Sequence, residues 1–413
     1  MRFLRQVLES FRFAWQALRS NLLRTTLSLL GVTIGIFAII AVFTLVDSLE
    51  RSIKDRLSVI GDRTLYVQKW PFVFDPSFPW WRYFQRPEPT YAEYRMLADR
   101  LENAEAITAM SGKGNVTVKN QNNVMKARVF GVTYAYNVIM EVPIEQGRYF
   151  QPQEMEAGRN VAIIGADLAD NLFPGQYAVG RTLKVSGLNF IIIGVQERQG
   201  TGLIDVNGPP DERCIIPYPT FAKLFQSIRP GVSIAVKGRA GDEDLMELES
   251  EIRGVLRARR SLKPAQEDNF SINRPEALMA AIGGIFSVLT LAGWVIGSFS
   301  ILVGGFGIAN IMFVSVKERT NIIGIQKSLG AKNYFILFQF LFEAVLLSLV
   351  GGLVGILLVY LLSFMQLGSL DIQLSLGNIL LGLGVSSIIG VISGIIPALA
   401  AARMDPVIAI RSK

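Results

Sequence analysis

"KERTNIIGIQKSLGAK", Lys317–Lys332, is a short polar segment between two long apolar runs. The run before it, Leu278–Val316, carries no charge, and the run after it, Tyr334–Phe364, carries only Glu343. A helix needs about 20 apolar residues to cross a bilayer. Thr25–Val46, Leu278–Val316, Tyr334–Phe364 and Ile372–Ala402 all meet that length. The polar segment therefore joins the second span to the third, and the side on which it lies sets the rest of the topology.

Positive charge decides the side. Arg2, Arg5, Arg12, Arg19 and Arg24 precede the first span; Lys317, Arg319, Lys327 and Lys332 separate the second from the third; Arg403, Arg411 and Lys413 follow the fourth. The link between the third and fourth spans, "MQLGSLDIQLS", has no Lys or Arg. Basic loops stay cytoplasmic, so both termini and the polar segment are expected there. Asp47–Pro275 is expected on the opposite face, the periplasm of a Gram-negative cell. The first span is read as a retained anchor, because its apolar run exceeds a signal-peptide core and no A-x-A-like site follows.

The second span is longer than a membrane needs. As one helix it would extend about 58 Å, against about 30 Å of hydrocarbon. Two passes would move Lys317–Lys332 to the outer face, against the charge rule. A single helix continuing beyond the bilayer as a stalk is the better reading. Its outer part, "LMAAIGGIFSVL", is expected to bury apolar surface, with the extension of the first helix at Leu49, Ile53, Leu57 and Ile60 as a candidate partner.

Half of the 413 residues are hydrophobic, as in a membrane protein. Histidine is absent, which removes the commonest metal ligand and general base. Cys214 is alone, so no intrachain disulfide or thiolate cluster can form. The phosphate-binding pattern G-x-x-x-x-G-K-[ST] is not found; "SGKGN" lacks the leading glycine and the closing hydroxyl. No catalytic, metal or cofactor-binding residue is assigned to this chain.

Residues 48–275 read as an α/β domain. "NVAIIG", "LNFIIIGVQE", "RCIIPY" and "VSIAVKG" are β-rich runs bounded by turn formers. "TYAEYRMLADRL" and "DEDLMELESEIRGVLRAR" have helical period. The second ends in "RARRSLK", read as a solvated helix end rather than a nucleic-acid patch. "KWPFVFDPSFPWWRYF", Lys69–Phe84, gathers Trp70, Phe72, Phe74, Phe78, Trp80 and Trp81 in one Pro-rich loop. Such a loop either folds over its own cluster or contacts a partner, lipid or substrate.

Within Lys317–Lys332, Thr320 is placed to cap a helix and Gly330 to end one. Ile322, Ile325 and Leu329, with Ile323 at their edge, form an apolar stripe on that helix. The stripe rests on lipid headgroups or fits a groove on a soluble partner.

These residues also carry a resemblance. "NIMFVSVKERTNIIGIQKSLGAKNYFILFQFLFEAVLLSLVGGLVG" (Asn310–Gly355) resembles the core of MacB/FtsX-type ABC transporter permeases. "IPALAAARMDPVIAIR" (Ile396–Arg411) is similar to the ending of that family, and "ALRSNLLRTTLSLLGVTIGI" (Ala17–Ile36) to its first helix. Gly147–Val195 resembles the MacB-type periplasmic domain. The resemblance implies an α-helical membrane protein with four transmembrane helices plus a large α/β extracytoplasmic domain inserted between helices 1 and 2. The expected order is an amphipathic cytoplasmic helix at 1–24, spans at 25–47 and 276–316 around the domain at 48–275, a coupling segment at 317–333, spans at 334–364 and 372–402, and a tail at 403–413.

The resemblance further implies that two copies pair and that a cytoplasmic P-loop ATPase drives them. Glu318, Arg319, Ile322, Gly324, Ile325, Lys327, Leu329, Gly330 and Ala331 would form the surface that meets the ATPase. Unlike MacB itself, the chain shows no fused N-terminal ATPase, so ATP and Mg are expected on a separate polypeptide. The expected activity is export or extraction of a hydrophobic or peptidic substrate, with a periplasmic adaptor or outer-membrane channel as further partners. An FtsX-like regulator of a cell-wall hydrolase and a lipoprotein-release permease are the alternatives. Gly31/Gly35, Gly293/Gly297, Gly351/Gly355 and Gly390/Gly394 read as helix-packing sites. Glu343 is read as a hydrogen-bonding acid between helices near the cytoplasmic side. Phe3, Val7, Phe11, Trp15 and Leu18 form the apolar stripe of an interfacial helix.

Overall fold

This computed structural model describes residues 22–58, 63–73, 80–200, 208–225, 231–242, 244–364 and 372–411, with first-helix side chains described from Leu29 to Lys54. The interfacial helix expected at 1–24 falls almost wholly outside these residues. The chain divides into two compact units: residues up to Glu50 with those from Ile285 onward, and Arg51–Gly284.

Among the described residues, four helices are long and apolar enough to cross a membrane: Leu22–Ser58, Pro275–Glu318, Asn333–Ser363 and Leu376–Ala402. The second is one unbroken helix of 44 residues. Ser375 caps the fourth by accepting from Asn378 N. The expectation that the fourth span starts at Ile372 places it before this cap.

Glycine decides how closely these helices approach. A Cβ at Gly390 would lie 2.7 Å from Val345 Cα, and one at Gly394 2.5 Å from Ala344 Cβ, so the third and fourth helices meet backbone to backbone. A Cβ at Gly355 would lie 3.1 Å from Phe37 N and 3.2 Å from Thr33 O of the first helix, and one at Gly297 2.8 Å from Ile39. Gly31 has open space around it. Most of the paired glycines are thus packing positions within one chain. Around them Val32, Ile36 and Ile40, Ile308 and Met312, Ile336 and Phe340, and Ile389 and Ala398 form one buried cluster. Gly390→Ala should lower the thermal stability of the detergent-solubilised protein, by about 1–3 kcal/mol for an overpacked contact. Gly384→Ala, on the same helix in open space, should leave it unchanged. Equal melting of both variants would refute this packing role.

The unit Arg51–Gly284 is built on one mixed sheet. Its strands are β1 (Thr64–Gln68), β2 (Ala104–Asn120), β3 (Asn123–Val132), β4 (Ile144–Gly147), β5 (Val161–Ile164), β6 (Thr182–Val185), β7 (Leu188–Gln196), β8 (Arg213–Pro217), β9 (Ser233–Gly238) and β10 (Ser271–Asn273). Their order is β10-β1-β9-β2-β3-β8-β5-β7-β4, with β6 pairing β2 and β7 off this path. The β3/β8 and β5/β7 pairs are parallel and the others antiparallel.

Helices Tyr91–Arg100 and Met246–Arg259 cover β1 and β9, burying Leu97, Leu248, Ile252 and Leu256 on Leu65, Val67, Ile234 and Val236. The helix end at "RARRSLK" is solvated only in part: Arg259, Ser261 and Lys263 are exposed, whereas the Arg260 side chain is covered against buried Glu93, Nε to Oε1 at 2.7 Å. Arg257 donates to the carbonyls of Lys263 and Gln266. Cys214 is fully buried, and burial pushes its thiol up to about 12, which keeps it protonated and unreactive.

Candidate functional site

The second membrane helix ends at Glu318, and a nine-residue elbow helix, Thr320–Ser328, follows after Arg319 alone. Arg319 holds the cap position, with φ −103° and ψ 11° and no side-chain cap hydrogen bond, and Thr320 is already the first helical residue. Thr320 therefore does not cap the elbow. Its hydroxyl donates to the carbonyls of Val316 and Lys317, at the end of the preceding helix. The other end behaves as expected. Gly330 has φ +95°, Gly330 N donates to Lys327 O, and Ala331 N donates to Gln326 O, the paired bonds of a Schellman stop.

The elbow has an inner and an outer face, and the expected coupling residues divide between them. Ile323 is buried in the cluster of the membrane helices. Gly324 lies under a second short helix, Pro406–Arg411, where an added Cβ would stand 2.9 Å from Ala409 Cβ and 3.1 Å from Ile410 N. Lys327 Nζ donates to Ala402 O and Met404 O, both at 2.7 Å. Arg319 Nη1 donates to Glu343 Oε2 at 3.2 Å, and Ser315 Oγ to Glu343 Oε1 at 3.4 Å. Glu343 is thus the interhelical hydrogen-bonding acid that its position suggested. Ala331 packs at the edge of the membrane cluster. On the outer face, Glu318 and Gly330 are exposed, and Ile322, Ile325 and Leu329 are 53%, 47% and 83% exposed.

The helix Pro406–Arg411, here the tail helix, adds residues that periodicity did not single out. Asp405 Oδ1 accepts from Val407 N at 2.8 Å, Ala409 N donates to Asp405 O, and Pro406 takes the first helical position, where no amide donor is needed. Ala409 is buried on Gly324, while Val407, Ile408 and Ile410 are exposed. The elbow helix exposes Ile322, Ile325 and Leu329, and the tail helix packed on it at Gly324 exposes Val407, Ile408 and Ile410. The signal for the tail was the Asp-Pro start ahead of isoleucines lying beyond the last span.

The aromatic segment of the other unit is also divided. Trp70 stacks on Tyr83, Phe72 packs on Tyr66, and Asn273 ties both backbones by accepting from Phe72 N and donating to Trp70 O. Lys69 lies over the rings of Trp70 and Phe84, and Arg86 over Tyr83. Trp80, Trp81 and Phe84 point outward. Phe74 and Phe78 lie outside the described residues. Among the described residues no cluster of acidic, His or Cys side chains is arranged to hold a metal ion.

Residues 25–255 match the family described as the MacB-like periplasmic core domain, and residues 294–406 the FtsX-like permease C-terminal family. Over 98% of its length the chain is 31% identical to the macrolide export ATP-binding/permease protein MacB of Marinobacter nauticus, covering 61% of that protein. The protein of the same description from Wolinella succinogenes is 30% identical over 99% of the chain, again with 61% of its own length covered. The pyoverdine export ATP-binding/permease protein PvdT of Pseudomonas aeruginosa is 28% identical over 99% of the chain, with 59% of its own length covered. The chain thus spans about three-fifths of the curated relatives it matches. With both regions in order along it and four helices fit to cross a membrane, the chain belongs to the ABC transporter permeases that join a MacB-like periplasmic core domain to an FtsX-like C-terminal region, proteins of the bacterial inner membrane.

Proposed function

We propose that this chain is a permease subunit that couples ATP hydrolysis, by a P-loop ATPase on a separate polypeptide, to motion of the extracytoplasmic unit. ATP and Mg are held by that ATPase, and two copies of the permease pair. The substrate is a hydrophobic or peptidic compound that is exported or extracted from the membrane. The names of the relatives, macrolide and pyoverdine exporters, favour export over regulation of a hydrolase. Trp80 and Trp81 supply an outward aromatic contact for substrate, adaptor or lipid.

The observation that carries the reading is the set of exposed apolar side chains on the elbow helix and on the tail helix packed against it. Three of its residues, Ile322, Ile325 and Leu329, are side chains that a soluble helix would bury. The elbow is anchored from behind by Gly324 and Lys327, so its outer residues are held in place for a partner. Lys317 and Lys332 flank it, which favours a cytoplasmic location.

Topology gives a direct test. Asn321 and Thr117 are exposed, and the native thiol of Cys214 is buried away from reagents. In intact spheroplasts, a membrane-impermeant maleimide should modify Thr117→Cys at once and Asn321→Cys only after lysis. Modification of both from the same side would eliminate the proposed coupling.

A further inference from the structure

We infer that Arg319 and Lys327 are positioning residues that brace the elbow helix against the third and fourth membrane helices, and that movement enters those helices through these two ties. The inference rests on the coupling role proposed above. The resemblance made both residues part of the ATPase contact; the geometry turns both inward.

The first tie is an ion pair in a low-dielectric place. Glu343 lies within the third membrane helix with a 7% exposed side chain, and Arg319 is 20% exposed. A carboxylate in such surroundings is strongly disfavoured unless a cation and hydrogen-bond donors hold it. Arg319 supplies the cation and Ser315 of the second helix a hydroxyl donor. The group therefore joins the second helix, the start of the elbow and the third helix. The second tie closes the far end. The last carbonyls of a helix have no partner within it and carry the negative end of its dipole. Lys327 places its ammonium on Ala402 O, the final residue of the fourth helix, and on Met404 O just beyond.

The two ties are eight residues apart, so they grip the elbow about 12 Å apart along its axis. Between them Gly324 presses on Ala409 and Ile410. A short helix held at one point can swivel and dissipate a push. Held at both ends and against the tail, it transmits displacement to the third helix through Glu343 and to the fourth through its terminal carbonyls. The long second helix is then one of three outputs.

The test uses the full-length chain in nanodiscs with the P-loop ATPase that copurifies with it at fixed stoichiometry, purified separately. For Arg319→Met and Lys327→Met, ATPase affinity should stay within about threefold of the unmodified chain, while permease-dependent stimulation of ATP turnover falls at least about tenfold. Arg319→Lys should retain part of the stimulation. The exchange Arg319→Glu with Glu343→Arg should recover most of it, and it carries the test with Lys327→Met if Arg319→Met does not accumulate. A tenfold loss of affinity that the exchange does not recover would make Arg319 a contact residue and overturn the inference. Unchanged stimulation in both methionine variants would do the same. If the unmodified chain binds no ATPase, the coupling role itself fails, an outcome distinct from loss of the ties.

Discussion

Ile325→Asp combined with Leu329→Asp is expected to abolish association with the ATPase while leaving the permease folded in the membrane. Leu329 is 83% exposed and Ile325 47%, and neither belongs to the buried cluster of the membrane helices, so the substitutions remove little internal contact. Burying an Ile or Leu side chain in an interface stabilises it by about 1.5–3 kcal/mol. Each aspartate also brings a charge that must be desolvated against an apolar surface. Together these effects exceed about 4 kcal/mol, a loss of roughly a thousandfold in affinity. The measurement is a titration of purified ATPase against the permease in nanodiscs, with gel-filtration behaviour as the control for folding. Retained affinity in this variant would dismiss the elbow as the docking surface. Gly324→Asp does not serve the same purpose, although Gly324 stands in the same motif. A side chain there collides with Ala409 and the Ile410 backbone, so a loss of binding would report broken packing between elbow and tail.

The contrast between Leu329 and Gly324 shows where sequence reading succeeds and where it stops. The four spans were legible because length and apolarity suffice, whatever the packing. Gly330 was legible as a helix stop because its left-handed backbone requirement is local. Arg319 and Lys327 were not legible as braces. Their long side chains reach groups 24 and 75 or more residues away, Glu343, Ala402 and Met404, and periodicity says nothing of such distances. Thr320 misled because a cap residue keeps an extended backbone of its own, whereas here the helix already begins at Thr320. The tail helix has only six residues, too few for a period to emerge. In the extracytoplasmic unit β2 and β3 escaped notice, although β2 has 17 residues, the most of any strand among the described residues. Gly112 and Gly114 interrupt the alternation of β2, and a bulge between Lys113 and Val116, with Asn115 at φ 57°, shifts its register. "RARRSLK" concealed a buried arginine because Glu93, its partner, lies 167 residues away.

That buried pair should dominate the stability of the extracytoplasmic unit. Thr90 and Glu93 form a capping box at the start of helix Tyr91–Arg100, in which Glu93 Oε2 accepts from Thr90 N at 2.7 Å. Arg260, just past helix Met246–Arg259, donates to both carboxylate oxygens and to Asn269. Burial alone would raise the Glu93 carboxyl, but the hydrogen bonds from Arg260 and Thr90 and the Arg260 charge outweigh it, and the group is held below the usual carboxylate range. Its contribution is therefore present above the unfolded pKa and is lost as pH falls through the folded one. Arg260→Met leaves the carboxylate buried without its cation, which should cost about 3–5 kcal/mol near neutral pH. The unpaired carboxyl would then prefer its proton, so the variant should be weakest at neutral pH and approach the unmodified protein in acid. Adding Glu93→Gln removes the stranded charge and should recover part of the loss, because the amide retains an acceptor for Thr90 N. Pulse proteolysis of the detergent-solubilised chain across a urea series reports all three effects. An Arg260→Met midpoint within about 1 kcal/mol of the unmodified protein would mean that water already solvates the pair. The two helices would then be held by the apolar contacts of Leu97, Leu248, Ile252 and Leu256 and by Glu251, which accepts from Glu102 N and Asn103 N.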